Sequence, residues 1–411
     1  MPSVCLYFKV HQPYQLKKYE VKEIGNAHCY EDAEADNATI NRVADESYLR
    51  TNKLIYELIQ STGKQFKVSY SISGTTLELF QKYRPDIIES FRQLVDTGCV
   101  EMLGETYYHS LSFLYSKKEF ERQVQKHSDL IEALFGITPQ VFRNTELIYN
   151  NKLAEIIDAI GFKGILCEGI DRLLNGRSPN KVYKSTGIET DISLLLRNVG
   201  LSDDIAFRFG EENWNEHPLT AEKFAEWIHK HTEDTKLLNL FMDYETFGIH
   251  KKDTTGIFDF LQALPHEILK NESWKFNTPS EAIDTYFPED FYNVAQTVSW
   301  KDKSKECCVW CENMMQNNTL KKIYSLEKMV SQSSDEKLKD MWGRLQAADY
   351  FYFMADESCH HQWYHNHNHY QSAKEVYHSY TNILTDFEIT LIQKALKTTQ
   401  PFHNTSVGIL Y

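Results

Sequence analysis

The sequence predicts an α/β protein: a (β/α)7 barrel, which is an incomplete TIM-like barrel, followed by a C-terminal α-helical bundle. The first two-thirds of the chain alternates short apolar runs with helical stretches, a pattern typical of parallel strands joined by crossover helices. Beyond about residue 283 the apolar spacing is helical, which favours a bundle. We therefore expect a barrel domain over residues 1–290 and a helical domain over residues 291–411.

Seven candidate strands form the predicted barrel: Val4–Val10, Phe66–Ile72, Val100–Gly104, Gln140–Asn144, Gly164–Cys167, Ile192–Leu196 and Leu237–Met242. The helices predicted between them include Tyr48–Gln60, Pro85–Thr97, Lys117–Phe135 and Asn151–Ile160. Gly98 and Gly161 follow two of these helices, where a C-cap favours glycine. About three helices are predicted in the second domain, over Met315–Ser331, Asp335–Tyr352 and Ser372–Leu396.

Composition argues against two classes of partner. The 411 residues carry 58 acidic and 44 basic side chains, a net charge of −14. Nucleic acids and anionic membranes are bound by basic surfaces, so we expect neither as a partner. No apolar run approaches the roughly 20 residues of a transmembrane helix. The first ten residues lack the features of a secretion signal, so we expect a cytoplasmic protein whose eight cysteines are reduced.

Two short clusters could in principle bind a metal ion. One contains Cys308 and Cys311 in a Cys-x-x-Cys spacing, but the second cysteine pair of a typical zinc site is missing. The other is a His-rich stretch over residues 360–369, in which His361, His365 and His369 would share one face of a helix. The asparagines among these histidines favour a loop instead. We therefore expect no metal and no cofactor.

Polar residues concentrate where the predicted strands end. In a parallel barrel the active site lies at the C-terminal ends of the strands. Four of these ends are polar, three of them carry a carboxylate, and their sequences are His11-Gln12-Pro13, Gly104-Glu105-Thr106-Tyr107-Tyr108-His109, Arg143-Asn144-Thr145-Glu146-Leu147 and Asp243-Tyr244-Glu245-Thr246-Phe247-Gly248. Such a collection at one barrel mouth indicates an active site.

These motifs resemble those of glycoside hydrolase family 57, particularly its α-amylase-like members. A fifth motif, Leu-Gln-Ala-Ala-Asp-Tyr-Phe-Tyr-Phe-Met at residues 345–354, completes the set. The five occur in the family's order and span most of the chain. The resemblance implies a (β/α)7 barrel followed by a helical domain, which agrees with the pattern of strands and helices. It also implies a retaining glycoside hydrolase.

The resemblance also implies roles for individual residues. Glu146 matches the nucleophile and Asp243 matches the general acid/base. The matching substrate-binding residues are His11, Glu105, His109, Asp349 and Tyr352. Asp349 would come from the helical domain to close over the site, and Tyr352 stands near an aromatic position that some family members fill with Trp.

Residue chemistry adds three expectations about the catalytic pair. Arg143 could keep Glu146 ionised through its opposite charge. Asp243 follows an apolar run, so partial desolvation could raise its affinity for a proton. Glu245 is a rival acid, because period-two geometry would put it on the same side as Asp243 if the strand continued. For Trp300, as for Trp214, Trp227 and Trp274, packing is expected rather than contact with a sugar.

The predicted function is cleavage of α-1,4-glucosidic bonds in starch, glycogen or maltooligosaccharides by double displacement, with an α-glucan as the partner. One alternative is a 4-α-glucanotransferase or a glucan branching enzyme, which would use the same catalytic pair and a different acceptor. A metal-dependent sugar deacetylase would need an aspartate and two histidines within the barrel, commonly in a His-x-x-x-His spacing. A non-catalytic glucan-binding protein would not need both Glu146 and Asp243.

Overall fold

The computed structural model describes residues 1–186, 190–231, 234–301, 309–355 and 370–399. The chain divides into two compact units. The first, here called the barrel unit, contains Met1–Gln15 and Ala33–Val309. The second, the helical unit, contains Leu16–Asp32 and Trp310–Tyr411. The domain division at residue 290 stays a prediction.

The strands of the barrel unit belong to one sheet. They are β1 (Ser3–Val10), β2 (Val68–Ile72), β3 (Val100–Met102), β4 (Val141–Arg143), β5 (Gly164–Glu168), β6 (Val182–Ser185), β7 (Ser193–Arg197), β8 (Leu237–Asp243), β9 (Lys275–Phe276) and β10 (Asp290–Tyr292). All seven candidate strands of the sequence are present, as β1 to β5, β7 and β8. Strands β6, β9 and β10 were not predicted from the sequence.

Seven parallel strands close into a barrel. The pairs are β8 with β1, β1 with β2, β2 with β3, β4 with β5, β5 with β7, and β7 with β8. Gly104 bridges to Phe142 and links β3 to β4. A Cβ atom on Gly104 would lie 2.6 Å from the Phe162 ring, so this junction requires glycine. The (β/α)7 prediction is therefore confirmed.

Helices connect the strands and cover the barrel. Those of the barrel unit are α1 (Ala33–Val43), α2 (Leu49–Ser61), α3 (Gly74–Tyr83), α4 (Pro85–Asp96), α5 (Ser112–Tyr115), α6 (Lys117–Phe135), α7 (Asn151–Ile160), α8 (Asp171–Leu174), α9 (Val199–Asp203), α10 (Ala221–His229), α11 (Ile257–Leu269) and α12 (Pro279–Thr285). Helix α7 ends at Gly161, whose φ of 104° is open to glycine at little cost. In the described part of the chain, no helix combines the length and the apolar character needed to cross a bilayer.

The residues of β1 alternate between two hydrophobic clusters, which fixes the inside of the barrel. Val4, Leu6 and Phe8 pack in a cluster with residues of the surrounding helices, whereas Cys5 and Tyr7 pack with residues from the other barrel strands. The odd-numbered side chains of β1 therefore point inward, because successive side chains of a strand face opposite sides. Strand β8 follows the same rule.

The helical unit contains α13 (Met314–Ser325), α14 (Glu327–Gln332), α15 (Glu336–Arg344), α16 (Ala348–Tyr352) and α17 (Ala373–Thr399). The three predicted helices are recognisable, but the first two are each divided into two segments. The segment Leu16–Asp32 belongs to this unit because it bonds to α17 and α15. Asp386 accepts hydrogen bonds from the Gly25 amide and the Tyr30 hydroxyl, both at 2.6 Å, and Glu31 pairs with Arg344 at 2.9 Å.

Candidate active site

Lys9 joins the two carboxyl groups of the predicted catalytic pair. It lies on β1 directly opposite Asp243 of β8 in the strand register, and both side chains have the inward parity. The Lys9 Nζ atom is 3.2 Å from Glu146 Oε1 and 3.1 Å from Asp243 Oδ1. Because both oxygens contact one nitrogen, they are no more than 6.3 Å apart.

Glu146 lies in a short 3-10 turn, Thr145–Leu147, directly after β4. Its backbone is left-handed, with φ 52° and ψ 31°, and the neighbouring Leu147 has φ 50°. Such a conformation costs a non-glycine residue roughly 1–3 kcal/mol and is concentrated at functional sites. The strained backbone of this turn lowers the stability of the fold, and it sets the direction of the Glu146 side chain.

Both carboxylate oxygens of Glu146 are occupied. Oε1 contacts Lys9 and lies 2.9 Å from Nε2 of His109, whereas Oε2 accepts a 2.8 Å hydrogen bond from the indole N–H of Trp300. Burial alone would raise the pKa of Glu146, but the charges of Lys9 and Lys301 and the contact with His109 hold it well below its usual value. The ionised form is thus strongly favoured, as a nucleophile requires.

Arg143 does not perform the predicted task of keeping Glu146 ionised. Its guanidinium lies 3.3 Å from Glu105 Oε2, and the cation in contact with Glu146 is Lys9. The two residues are three apart across a strand end and a turn, so their side chains leave the backbone in different directions. In the sequence, Lys9 stands out as a charged residue at an inward-facing position of a largely apolar strand.

Asp243 differs from the expectation in its proton affinity. Burial is the largest influence and favours the neutral form, but the positive charges of Lys9, His250 and Lys301 together outweigh it, so the pKa of Asp243 is lowered. Its side chain retains 17% exposure, whereas that of Glu146 retains 6%. Asp243 is therefore the more accessible of the two carboxyl groups.

Glu245 does not continue the strand, because β8 ends at Asp243 and a 3-10 turn, Tyr244–Thr246, follows. Its Oε1 accepts a 3.0 Å hydrogen bond from Gln12 and a second one from the hydroxyl of Tyr48. Burial, together with the charge of Asp243, raises the pKa of Glu245 to about 7. With this pKa, Glu245 holds a proton near neutral pH, as a general acid must, but its carboxyl group is enclosed by other side chains.

The predicted residues Glu105, His109 and His11 form a layer beside Glu146. His109 lies between Glu146 and Glu105, with its Nδ1 3.7 Å from Glu105 Oε2, and its φ of 51° is left-handed. Burial opposes a charged imidazole, but the contacts with Glu105 and Glu146 raise the pKa of His109. Burial likewise opposes an ionised Glu105, whereas His109 and Arg143 lower its pKa to about 2. Glu105 and His109 thus stabilise each other's charged forms in a buried layer.

His11 stacks on His109, with 3.9 Å between the ring centroids, and its Nδ1 is 2.7 Å from the Ser73 hydroxyl. Glu105 and His109 have no exposed surface in the described structure, and His11 is 4% exposed. The structure therefore brings these three residues to the predicted nucleophile. Direct contact with substrate stays a prediction for each of them.

Trp300 is a site residue that sequence reasoning assigned to packing. It does pack, between Phe207 at 6.1 Å and Phe241 at 5.4 Å between ring centroids, but its indole N–H also bonds Glu146. Phe207 is 44% exposed. No strand pattern marks residue 300, so only tertiary contact reveals its role.

Asp349 and Tyr352 lie on α16 of the helical unit, and both are buried. Tyr352 packs near Trp310, with 6.3 Å between the ring centroids. Their roles as substrate-binding residues stay predictions.

The described residues contain no group of three or more His, Cys, Asp or Glu side chains arranged to hold a metal ion. Of the two clusters considered in the sequence, Cys308 and the histidines between residues 360 and 369 lie outside the described residues.

Comparison with known proteins gives a consistent result. The model of "Glycosyl hydrolase family 57" matches residues 5–295. A protein of Methanocaldococcus jannaschii named "Putative alpha-amylase" is 38% identical over 399 residues, which cover 94% of this chain and 84% of that one. A 4-alpha-glucanotransferase of Thermococcus litoralis is 21% identical over 254 residues, 60% of this chain and 36% of that one.

Solved structures agree on the fold. A branching enzyme of Thermococcus kodakaraensis superposes with a TM-score of 0.70 at 13% identity, covering 99% of this chain and 96% of that one. The Thermococcus litoralis glucanotransferase superposes with a TM-score of 0.66 at 16% identity, and this chain spans 56% of its length. The family match and the Methanocaldococcus relative together establish that the chain belongs to glycosyl hydrolase family 57 and is a glycoside hydrolase of the retaining type.

Proposed function

We propose that this enzyme cleaves α-1,4-glucosidic bonds in starch, glycogen or maltooligosaccharides by double displacement, with Glu146 as the nucleophile and Asp243 as the general acid/base. The observation that carries the proposal is the shared contact of both carboxyl groups with Lys9. Retaining glycosidases hold their two carboxyl groups roughly 5–5.5 Å apart, whereas inverting enzymes need about 6.5–9.5 Å. The limit of 6.3 Å between Glu146 Oε1 and Asp243 Oδ1 supports the retaining arrangement.

The first step joins substrate to enzyme. An oxygen of Glu146 attacks the anomeric carbon, the bond from that carbon to the glycosidic oxygen breaks, and the proton of Asp243 moves to the departing oxygen. In the second step, water attacks the anomeric carbon and gives its proton to Asp243, while the ester bond to Glu146 breaks. The low pKa of Glu146 suits the attacking role, because the carboxylate must be ionised.

Asp243 is preferred to Glu245 as the acid on grounds of position. A general acid must come within hydrogen-bond reach of the atom that it protonates. Glu245 is 3% exposed and its Oε1 is held by Gln12 and Tyr48, whereas Asp243 is partly exposed beside Glu146. Asp243 must carry a proton to act as the acid. Because the charge of Lys9 lowers its pKa, the protonated form is abundant only at lower pH. We therefore expect an optimum on the acidic side of neutrality.

His11, Glu105 and His109 are proposed as substrate-binding residues of the same site, and Asp349 and Tyr352 as substrate-binding residues of the helical unit. For His109 the contact with Glu146 supports a second task, which is to orient the nucleophile. The two tasks are compatible, because a nucleophile that is correctly oriented also fixes where the sugar must lie.

Transfer to a glucan acceptor is the alternative, since it uses the same glycosyl-enzyme intermediate. The 4-alpha-glucanotransferase relative is 21% identical over 60% of this chain, whereas the "Putative alpha-amylase" is 38% identical over 94%. This difference favours hydrolysis. Chromatography of the products from maltoheptaose separates the two outcomes, because only transfer gives chains longer than seven units.

The proposal is tested by replacing Glu146 with Gln, which keeps the shape and removes the nucleophile. We expect activity on maltoheptaose to fall at least about 10³-fold, since the covalent route is lost. Glu101→Gln is the matched control: Glu101 is also a buried barrel glutamate, but its carboxylate bonds Ser280. The control should keep near-normal activity. Retention of more than a few per cent of wild-type activity by the Glu146 variant would refute the assignment.

A further inference from the structure

Lys9 is a buried cation whose two nearest anions are the catalytic carboxyl groups. It is 5% exposed, and its ammonium lies almost equally far from Glu146 and Asp243. Burial by itself would disfavour the charged form, but the two carboxylates raise the pKa of Lys9, so it remains an ammonium throughout the working pH range. One positive charge is thus shared by two negative charges in the free enzyme.

Formation of the glycosyl-enzyme changes this balance. In the reacting form Asp243 still carries its proton and Glu146 is the anion beside Lys9; when Glu146 attacks the anomeric carbon, its carboxylate becomes a neutral ester and this negative charge is lost. Asp243 has given its proton to the departing oxygen and is now a carboxylate. Lys9 then has Asp243 as its remaining anionic partner at about 3 Å. Opposite charges at such a separation stabilise the ionised carboxyl group strongly in a water-poor site.

We propose that Lys9 is a positioning residue that is shared by both carboxyl groups in the free enzyme and pairs with Asp243 once Glu146 is esterified. In the second step, Asp243 must act as a base at a fixed place, to take the proton of the attacking water. Lys9 holds its carboxylate there. This inference rests on the proposed function and adds a role to a residue outside the predicted catalytic pair.

Other charged groups also face this cluster and contribute to its balance. Lys301 acts on both carboxyl groups, His109 acts on Glu146, and His250 acts on Asp243. Arg143 and Glu245 have opposite effects on Lys9, because the charge of Arg143 lowers its pKa and that of Glu245 raises it. Lys9 lies within ion-pair distance of both carboxylates, at 3.2 Å from Glu146 and 3.1 Å from Asp243. Its replacement should therefore affect the two carboxyl groups together.

The test is Lys9→Gln, assayed with an aryl α-maltoside that carries an activated leaving group. Such a substrate needs little protonation in the first step, so the second step should become slower than the first. We expect kcat to fall about 10- to 100-fold and KM to fall with it, whereas kcat/KM should change less than about threefold. A burst of aryl release and a glycosyl adduct in the intact mass spectrum should appear.

The pH profile gives a second measurement. Without the ammonium, Asp243 keeps its proton to higher pH, so the alkaline limb of kcat/KM for maltoheptaose should move up by about one pH unit or more. Lys9→Arg retains the positive charge and is the control: it should show neither the adduct nor a moved limb. This variant also keeps the test valid if the Gln variant folds poorly, which a melting curve would reveal.

Equal losses of kcat and kcat/KM in Lys9→Gln, with no adduct and an unmoved alkaline limb, would overturn the role of Lys9. Failure of the proposed function has a different signature, because it would appear as more than a few per cent of wild-type activity in Glu146→Gln. An adduct that forms equally in the wild-type enzyme and the Gln variant would likewise count against the inference.

Discussion

Replacement of Glu245 by Gln tests the electrostatics of this site through stability. Burial and the charge of Asp243 raise the pKa of Glu245 from 4.5 to about 7. A carboxyl group with a raised pKa stabilises the native state fully below the unfolded pKa, and that contribution is lost as pH rises through the native one. The affected window is therefore about pH 4.5 to 7.

The magnitude follows from the pKa change. Each pKa unit corresponds to about 1.4 kcal/mol, so ionisation of Glu245 should cost the native state about 3 kcal/mol above pH 7. Gln is neutral at every pH, and its carbonyl can accept the hydrogen bonds that Gln12 and Tyr48 now donate. We therefore expect Glu245→Gln to be more stable than the wild-type protein, by under about 1 kcal/mol at pH 5 and by about 3 kcal/mol at pH 8.

Denaturant unfolding at pH 5 and pH 8 measures this difference. Glu105→Gln provides a control of opposite sign. Burial opposes ionisation of Glu105, but His109 and Arg143 lower its pKa to about 2, so its contribution exists above about pH 4.5 and its loss should destabilise the protein at neutral pH. A stability difference between Glu245→Gln and the wild-type protein that does not change with pH would refute the reasoning.

Two further predictions concern activity. Asp243→Ala should lower the rate on maltoheptaose by about 10²–10⁴-fold, and it should impair the first step far less on activated aryl glycosides. When azide is added, glycosyl azide should form. An equal loss on both substrates without this product would transfer the role to Glu245. Asp349→Asn should reduce kcat by about 10-fold or more at an unchanged melting temperature, because a misplaced substrate reacts slowly. A lower melting temperature with near-normal kinetics would show instead that Asp349 is a structural residue.

Much of the fold could be predicted because it depends on the local pattern of apolar and polar residues. The seven barrel strands are short apolar runs buried on both faces, and such runs stand out between amphipathic helices. The strands that escaped prediction, β6, β9 and β10, are short additions beside the seven parallel barrel strands. The breaks in the C-terminal helices also escaped, because an apolar spacing continues across a short turn.

The segment Leu16–Asp32 shows what periodicity cannot give. It lies near the start of the chain, but its hydrogen bonds join it to α15 and α17 of the helical unit. Gly248 is a similar case, since a Cβ atom there would lie 1.9 Å from the carbonyl oxygen of Glu46. Contacts between residues so far apart in sequence depend on the packing of the whole chain.

The sequence by itself determined the barrel and the positions of Glu146 and Asp243 at strand ends, because strand order and side-chain parity are local properties. Tertiary structure alone decided which charges those carboxyl groups meet. Lys9 replaced Arg143 as the cation beside Glu146, Trp300 became a hydrogen-bond donor, and the direction of the Asp243 pKa was reversed. Electrostatic energy depends on distances of a few ångströms in a buried site, and such distances arise only when separate strands are brought together.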